Sequence, residues 1–199
     1  MSKELLQLKE YQGKTCVSGS VYNYLRNLNK KVDIYEFDFL LNKALKLQYT
    51  PGDLDSFTTE VWNAVQYALK CYGCKLQILI NEKEEDTTAR AILKSSPEKY
   101  PVFLFVKASE LKYDPAFRYS GNAMHLICIC DYSDSKYYIS DSYISNAPLS
   151  SFFGWIGEEE IHGAWSKEKW EGFYIETSRM DWSVIEKERI LYESFSILT

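Results

Sequence analysis

Helical and strand patterns occupy different parts of this 199-residue chain. Apolar residues recur at helical spacing over 15–29, 34–47 and 54–70. After these segments the apolar runs become short, alternating or continuous, which predicts strands at 75–80, 102–108, 125–132, 136–141 and 172–177. Helices that precede the strands, instead of alternating with them, predict an α+β fold in which N-terminal helices pack on a mostly antiparallel sheet.

Shorter helices are predicted at 89–96, in the acidic segment around 158–161, and at 183–195. The sequence shows no internal repeat, linker or low-complexity segment. We therefore predict a single domain over residues 1–199, which is long enough to bury a hydrophobic core.

The charge of the chain limits its partners. A net charge of −5 argues against nonspecific binding to nucleic acid or to an anionic membrane. Residues 1–46 carry eight Lys and Arg against five Asp and Glu, so this part is locally basic. An acidic partner could face it, or the lysines could simply be solvated surface residues.

The N-terminus lacks the apolar stretch and cleavage site of a signal peptide, and no apolar run reaches membrane-spanning length. Five cysteines, an odd number, do not suggest a disulfide framework. Both observations favour a cytoplasmic protein without a membrane span.

The two strands 125–132 and 136–141 read as a hairpin that places a histidine near an aspartate. If the turn is centred near residue 133, positions whose numbers add up to about 266 face each other, and His125 then lies opposite Asp141. A slip of one residue would separate the two side chains. An imidazole that is hydrogen-bonded to a carboxylate through one nitrogen can act as a base through the other.

Cys16 opens the first predicted helix, with Thr15 as a plausible N-cap. The free N–H groups and the positive dipole end of a helix N-terminus favour a thiolate, and a nearby imidazole would make that thiolate a competent nucleophile. A free cysteine is also commonly a buried apolar residue. The order Cys, His, Asp along the chain favours the nucleophile.

A cysteine on the first helix, a histidine at the start of a strand and an aspartate on the next strand resemble the papain-like cysteine protease fold. TCVSGSVYNYLRNLNKKVDIYEFDFLLNKALKLQY and HLICICDYSDSKYYISDSY are similar to the N-terminal domain of the butirosin biosynthesis protein H family. The resemblance covers about residues 10–145. It implies a papain-like fold for the whole α+β arrangement.

The resemblance also implies a function in secondary-metabolite (antibiotic) biosynthesis. It implies an ATP-independent acyltransferase or amide synthase that moves an acyl or peptidyl chain from a carrier-protein thioester, through a cysteine acyl-enzyme, to a small amine. Similar amide-forming enzymes act in nonribosomal polythioamide (closthioamide-like) assembly. Cys16 matches the nucleophile, His125 the base and Asp141 the orienting acid, with no metal or other cofactor. A cysteine peptidase or amidase would use the same triad with water as the acceptor.

The oxyanion donor is less clear. At the position six residues before Cys16, where papain-like peptidases usually carry a glutamine, this chain has Glu10, and Gln12 follows two residues later. Gln12 would stabilise an oxyanion together with the Cys16 N–H, or it is an exposed loop residue. Both readings stay open.

Other reactive side chains are expected to be structural. Cys71 and Cys74 form a CxxC that lacks a second pair or a clear histidine partner, so structural thiols are expected rather than a zinc site. Cys128 and Cys130 alternate along a strand and are expected in the core. The second histidine, His162, is expected at a surface or interface.

Overall fold

A computed structural model describes residues 15–28, 32–48, 54–80, 85–121, 123–142, 151–165 and 171–177. The helices in these residues are α1 (Cys16–Leu28), α2 (Ile34–Gln48), α3 (Leu54–Cys71), α4 (Asp86–Ser95) and α5 (Glu158–Ala164). The strands are β1 (Cys74–Ile80), β2 (Val102–Lys107), β3 (Met124–Ser133), β4 (Lys136–Asp141), β5 (Phe152–Gly157) and β6 (Gly172–Thr177). Three helices precede a six-stranded sheet, which confirms the α+β prediction.

The predicted elements agree with these bounds to within a few residues at each end. One strand was not predicted: β5 has the sequence FFGWIG, whose two glycines and continuous apolar character hide the alternation of a half-buried strand. The helix predicted at 183–195 lies outside the described residues.

The six strands form one sheet in the order β1–β6–β2–β3–β4–β5. Strand β3 is antiparallel to both of its neighbours, β2 and β4, and β5 is antiparallel to β4. The histidine strand therefore lies inside the sheet, where both backbone edges are paired and its side chains are held in a fixed register.

The chain packs as two units. The first contains Met1–Val32 and Ile78–Tyr174, and the second contains Asp33–Gln77 and Ile175–Thr199. Helices α2 and α3 pack against each other in the second unit, where the rings of Phe37 and Tyr72 lie 6.1 Å apart. Cys16, His125 and Asp141 all belong to the first unit. The single domain over residues 1–199 stays a prediction.

The core of the first unit lies against one face of the sheet. This face carries alternate residues of β2, β3 and β4, and α4 and α5 cover it with small and branched side chains. The buried members on the strands are Val102, Leu104, Val106, Ile127, Ile129, Tyr137 and Ile139. On the opposite face, Tyr24 of α1 packs edge-on against Phe103 of β2, with ring centroids 5.7 Å apart. Helix α1 is thereby anchored to the sheet near β3.

The β3–β4 hairpin has a different register from the predicted one. Its turn is the two-residue loop Asp134–Ser135, both with positive φ, and Ser133 pairs with Lys136. Paired residues therefore add up to 269 near the turn, not to about 266. A β-bulge between Ile129 and Asp131 then shifts the register by one residue, so that Cys128 pairs with Ser140. The prediction that His125 lies directly opposite Asp141 was wrong.

None of the helices within the described residues is both long and apolar enough to cross a membrane.

Candidate active site

The N-terminus of α1 is capped as predicted. The Thr15 Oγ1 accepts the N–H of Ser18 at 3.1 Å, and the Ser18 Oγ accepts the N–H of Thr15 at 3.3 Å. The helix therefore begins at Cys16, which is half-buried in its first turn. Cys16 therefore lies at the positive end of the helix dipole.

His125 and Asp141 meet across the hairpin despite the corrected register. Continuing the pairing of Cys128 with Ser140 places Asp141 opposite Ile127, so His125 is its diagonal neighbour on the same face. The imidazole Nε2 lies 2.8 Å from Asp141 Oδ2. Both side chains are buried, His125 with 7% and Asp141 with 0% of its surface exposed.

The surroundings of His125 hold a proton on the imidazole. Burial disfavours the charged ring, but the negative charge of Asp141, the hydrogen bond to it, and a hydrogen bond with Cys16 outweigh burial and raise the pKa of His125 to about 10. Because Nε2 faces Asp141, the ring nitrogen left for Cys16 is Nδ1. His125 therefore carries a proton at neutral pH and lies between the carboxyl group of Asp141 and the sulfur of Cys16.

The structure adds Tyr113 to this group. Its hydroxyl donates a hydrogen bond to Asp141 Oδ2 at 2.6 Å, the same oxygen that His125 contacts. Burial, followed by the charge of Asp141 and the hydrogen bond to it, raises the pKa of the phenol well above its usual range. Spacing offered no signal for this residue, because Tyr113 is one of 16 tyrosines and contacts an aspartate 28 positions away. The Asp114–Pro115 pair after it marks only a turn.

Aromatic rings pack against the hydrogen-bonded group of Tyr113, His125 and Asp141. The Phe117 ring lies 4.9 Å from the His125 ring, and Tyr113 packs edge-on against Phe117 at 5.6 Å. Phe152, the β5 residue paired with Asp141, stacks on the Tyr113 ring at 4.4 Å. These rings keep water from the Asp141 carboxylate, which strengthens the charge interactions there.

Gln12, the expected oxyanion donor, lies outside the described residues. Cys71 and Cys74 are both buried, and burial raises the pKa of Cys74 to about 11, as befits structural thiols. Cys128 is buried, whereas Cys130 at the bulge is only half-buried. Within the described ranges, no cluster of His, Cys, Asp or Glu has the composition of a metal site.

The expected surface position of His162 was wrong, because only 2% of this residue is exposed. Arg90 Nη1 lies 3.0 Å from its Nδ1, and the Tyr137 hydroxyl lies 3.0 Å from its Nε2. Burial, together with the positive charge of Arg90, lowers the pKa of His162. Both ring nitrogens are occupied, so His162 is part of the packed core between α4, α5 and β4.

No model of a known protein family matches this sequence, and no curated protein matches it either.

Proposed function

We propose that this protein is an ATP-independent acyltransferase of papain-like fold. It takes an acyl or peptidyl chain from a carrier-protein thioester and joins it to a small amine in secondary-metabolite biosynthesis, like the amide-forming enzymes that its sequence resembles. The observation that carries the proposal is the continuous row of Cys16, His125 and Asp141, with a buried imidazolium between the sulfur and the carboxylate.

In the first half-reaction the Cys16 thiolate attacks the carbonyl carbon of the thioester. The bond from that carbon to the carrier sulfur breaks, and the leaving thiolate takes the proton of the His125 imidazolium. The products are the acyl-enzyme, neutral His125 and a free carrier thiol. The N–H of Cys16, in the first turn of α1, would donate a hydrogen bond to the oxyanion that forms on the way.

In the second half-reaction an amine attacks the acyl-enzyme. Neutral His125 takes the proton that the amine loses, and the Cys16 thiolate leaves as the amide forms, which restores the ion pair. Asp141 stabilises the imidazolium at the start and at the end of the cycle. The activation is already stored in the thioester, so no nucleotide is consumed.

One observation favours transfer to an amine over hydrolysis, and a second favours a carrier protein as the acyl donor. The aromatic rings of Tyr113, Phe117 and Phe152 lie around the His125–Asp141 pair and limit the water near it. The basic excess in residues 1–46, the segment that contains Cys16, suits an acidic carrier protein. The odd number of cysteines does not suggest a disulfide framework, so we place the protein in the cytoplasm.

The test is intact-protein mass spectrometry after mixing with an N-acetylcysteamine thioester of a short acyl chain. Wild type should gain the mass of one acyl group, and Cys16→Ala should gain none. Cys130→Ala is the matched control, because Cys130 is the other half-buried cysteine among the described residues. This variant should acylate like wild type.

The acceptor is identified by adding a small primary amine to the acylated protein. Faster discharge with the amine than with water, together with the amide product, supports the transferase. An adduct that only hydrolyses supports a peptidase or amidase instead. If wild type gains no acyl group from any thioester, Cys16 is a structural residue and the proposal is wrong.

A further inference from the structure

The Asp141 carboxylate receives two hydrogen bonds at one oxygen. Oδ2 lies 2.8 Å from Nε2 of His125 and 2.6 Å from the hydroxyl of Tyr113. An anionic oxygen that accepts from two donors divides its charge between them, so each donor weakens the hold of the oxygen on the other. The strength of the His125–Asp141 pair therefore depends on the phenol.

The phenol keeps its proton throughout the working pH range, since its pKa is raised by burial and by the charge of Asp141. Asp114 and Glu160 also act on it, but both carboxylates already accept backbone hydrogen bonds. Asp114 accepts from the N–H of Ala116 at 2.8 Å, and Glu160 accepts from the N–H of Lys112 at 2.7 Å. The hydroxyl thus points its proton at Asp141.

Packing fixes the phenol in this orientation. The Tyr113 ring is stacked on Phe152 and lies edge-on to Phe117, and Phe152 sits on the strand next to Asp141. Phe117 in turn contacts the His125 ring. The same aromatic group therefore holds the phenol and the imidazole against one carboxylate oxygen.

We propose that Tyr113 is a positioning residue that draws charge from Asp141 and so lets His125 release its proton more readily to a leaving thiol. This inference rests on the proposed function, because a leaving group that needs a proton is part of that reaction. Without the hydroxyl, Asp141 would hold the imidazolium more tightly, and proton transfer from His125 would slow.

The test is NMR of the histidine ring nitrogens in Tyr113→Phe, a change that removes only the hydroxyl. The chain has two histidines, so two sets of ring signals are expected, and a His162→Gln spectrum assigns them. Tyr119→Phe is the matched control, because Tyr119 ends the short helix Pro115–Tyr119 that follows Tyr113 and is 91% exposed.

In Tyr113→Phe we expect the pKa of His125 to rise by about one unit, which is a tenfold loss of imidazolium acidity. At neutral pH the Nε2 proton should move downfield, because its bond to Asp141 becomes stronger. Tyr119→Phe should leave the pKa of His125 and the shift of its Nε2 proton unchanged. A 3-fluorotyrosine at position 113 keeps the hydroxyl and is a stronger donor, so it should lower the pKa of His125 and move its Nε2 proton upfield. This variant provides the test if Tyr113→Phe does not fold.

An unchanged or lowered pKa of His125 in Tyr113→Phe would overturn the inference. So would a fluorotyrosine that shifts the signals in the same direction as phenylalanine. The NMR experiment uses no substrate. The two tests can therefore fail independently. Failure of the acylation experiment would refute the proposed function, whereas the NMR result alone decides whether Tyr113 weakens the hydrogen bond between His125 and Asp141.

Discussion

Replacing Asp141 by asparagine tests the charge state of His125 through the stability of the fold. The pKa of His125 is raised from 6.5 to about 10 by its partners, against the effect of burial. A raised folded-state pKa gives stability that is fully present below pH 6.5 and is lost as the pH rises to about 10. At about 1.4 kcal/mol for each pKa unit, the pair contributes on the order of 5 kcal/mol at pH 6. With His125 only 7% exposed, solvent screening reduces this figure little.

The assay is urea unfolding followed by far-UV circular dichroism at five pH values from 6 to 10. Asp141→Asn is nearly isosteric, and Asp134→Asn, a change in the β3–β4 turn, is the matched control. The quantity to plot is the difference in free energy of unfolding between wild type and variant, because groups that do not contact His125 or Asp141 titrate alike in both proteins and cancel. This difference should shrink by about 4 kcal/mol between pH 6.5 and 10.

A flat difference over this range would refute the reasoning. It would mean that His125 gains no proton affinity from Asp141, and the argument for a thiolate at Cys16 would lose its electrostatic support. The Asp134→Asn control should show a flat difference, because the carboxylate that it replaces does not contact His125.

Three further outcomes are expected. Iodoacetamide at pH 7 should label Cys16 at least about tenfold faster than Cys130, because of these two cysteines only Cys16 has an imidazolium beside it. Peptide mapping measures the two rates, and equal rates would contradict the ion pair. Wild type should lose stability as the pH falls below 6.5, because folding lowers the pKa of His162 and the unfolded chain therefore binds that proton first. His162→Gln should reduce the loss of stability between pH 7 and pH 5, measured by urea unfolding. An unchanged loss would assign the acid sensitivity to other groups. Gly154→Ala should cost about 1–3 kcal/mol, because its Cβ would lie 2.8 Å from Cζ of Phe152 and displace that ring; a thermal unfolding midpoint equal to that of wild type would show that the ring moves freely.

Local signals in the sequence were sufficient for most elements and for the position of Cys16. The periodicity of α1 and the capping threonine depend on residues that are close in the chain, and both were predicted correctly. The neighbourhood of His125 and Asp141 was also predicted, because any antiparallel hairpin between two such strands brings their far ends together.

The details of that neighbourhood depend on structure that periodicity does not encode. A turn with two left-handed residues, neither of them glycine, was not expected, nor was the bulge at Cys130. The predicted pairing was therefore wrong in register, although the two side chains meet as diagonal neighbours. Tyr113 was missed because its contact with Asp141 depends on packing between segments that are distant in the chain.

The bulge at Cys130 decides which face of β3 carries the histidine. With the pairing near the turn continued unchanged, Asp141 would lie opposite Cys128, and His125 would point to the other side of the sheet. The extra residue in β3, Cys130, shifts the pairing by one position, so that His125 and Asp141 lie on the same face of the sheet. In comparisons between related sequences, a single-residue gap between the bulge and either His125 or Asp141 would therefore separate the two side chains, whereas a gap at Cys130 itself would remove the bulge and keep them on one face. The same gap placed in the Asp134–Ser135 turn leaves the pairing of the strands unchanged, so this turn is where the hairpin can vary in length during evolution.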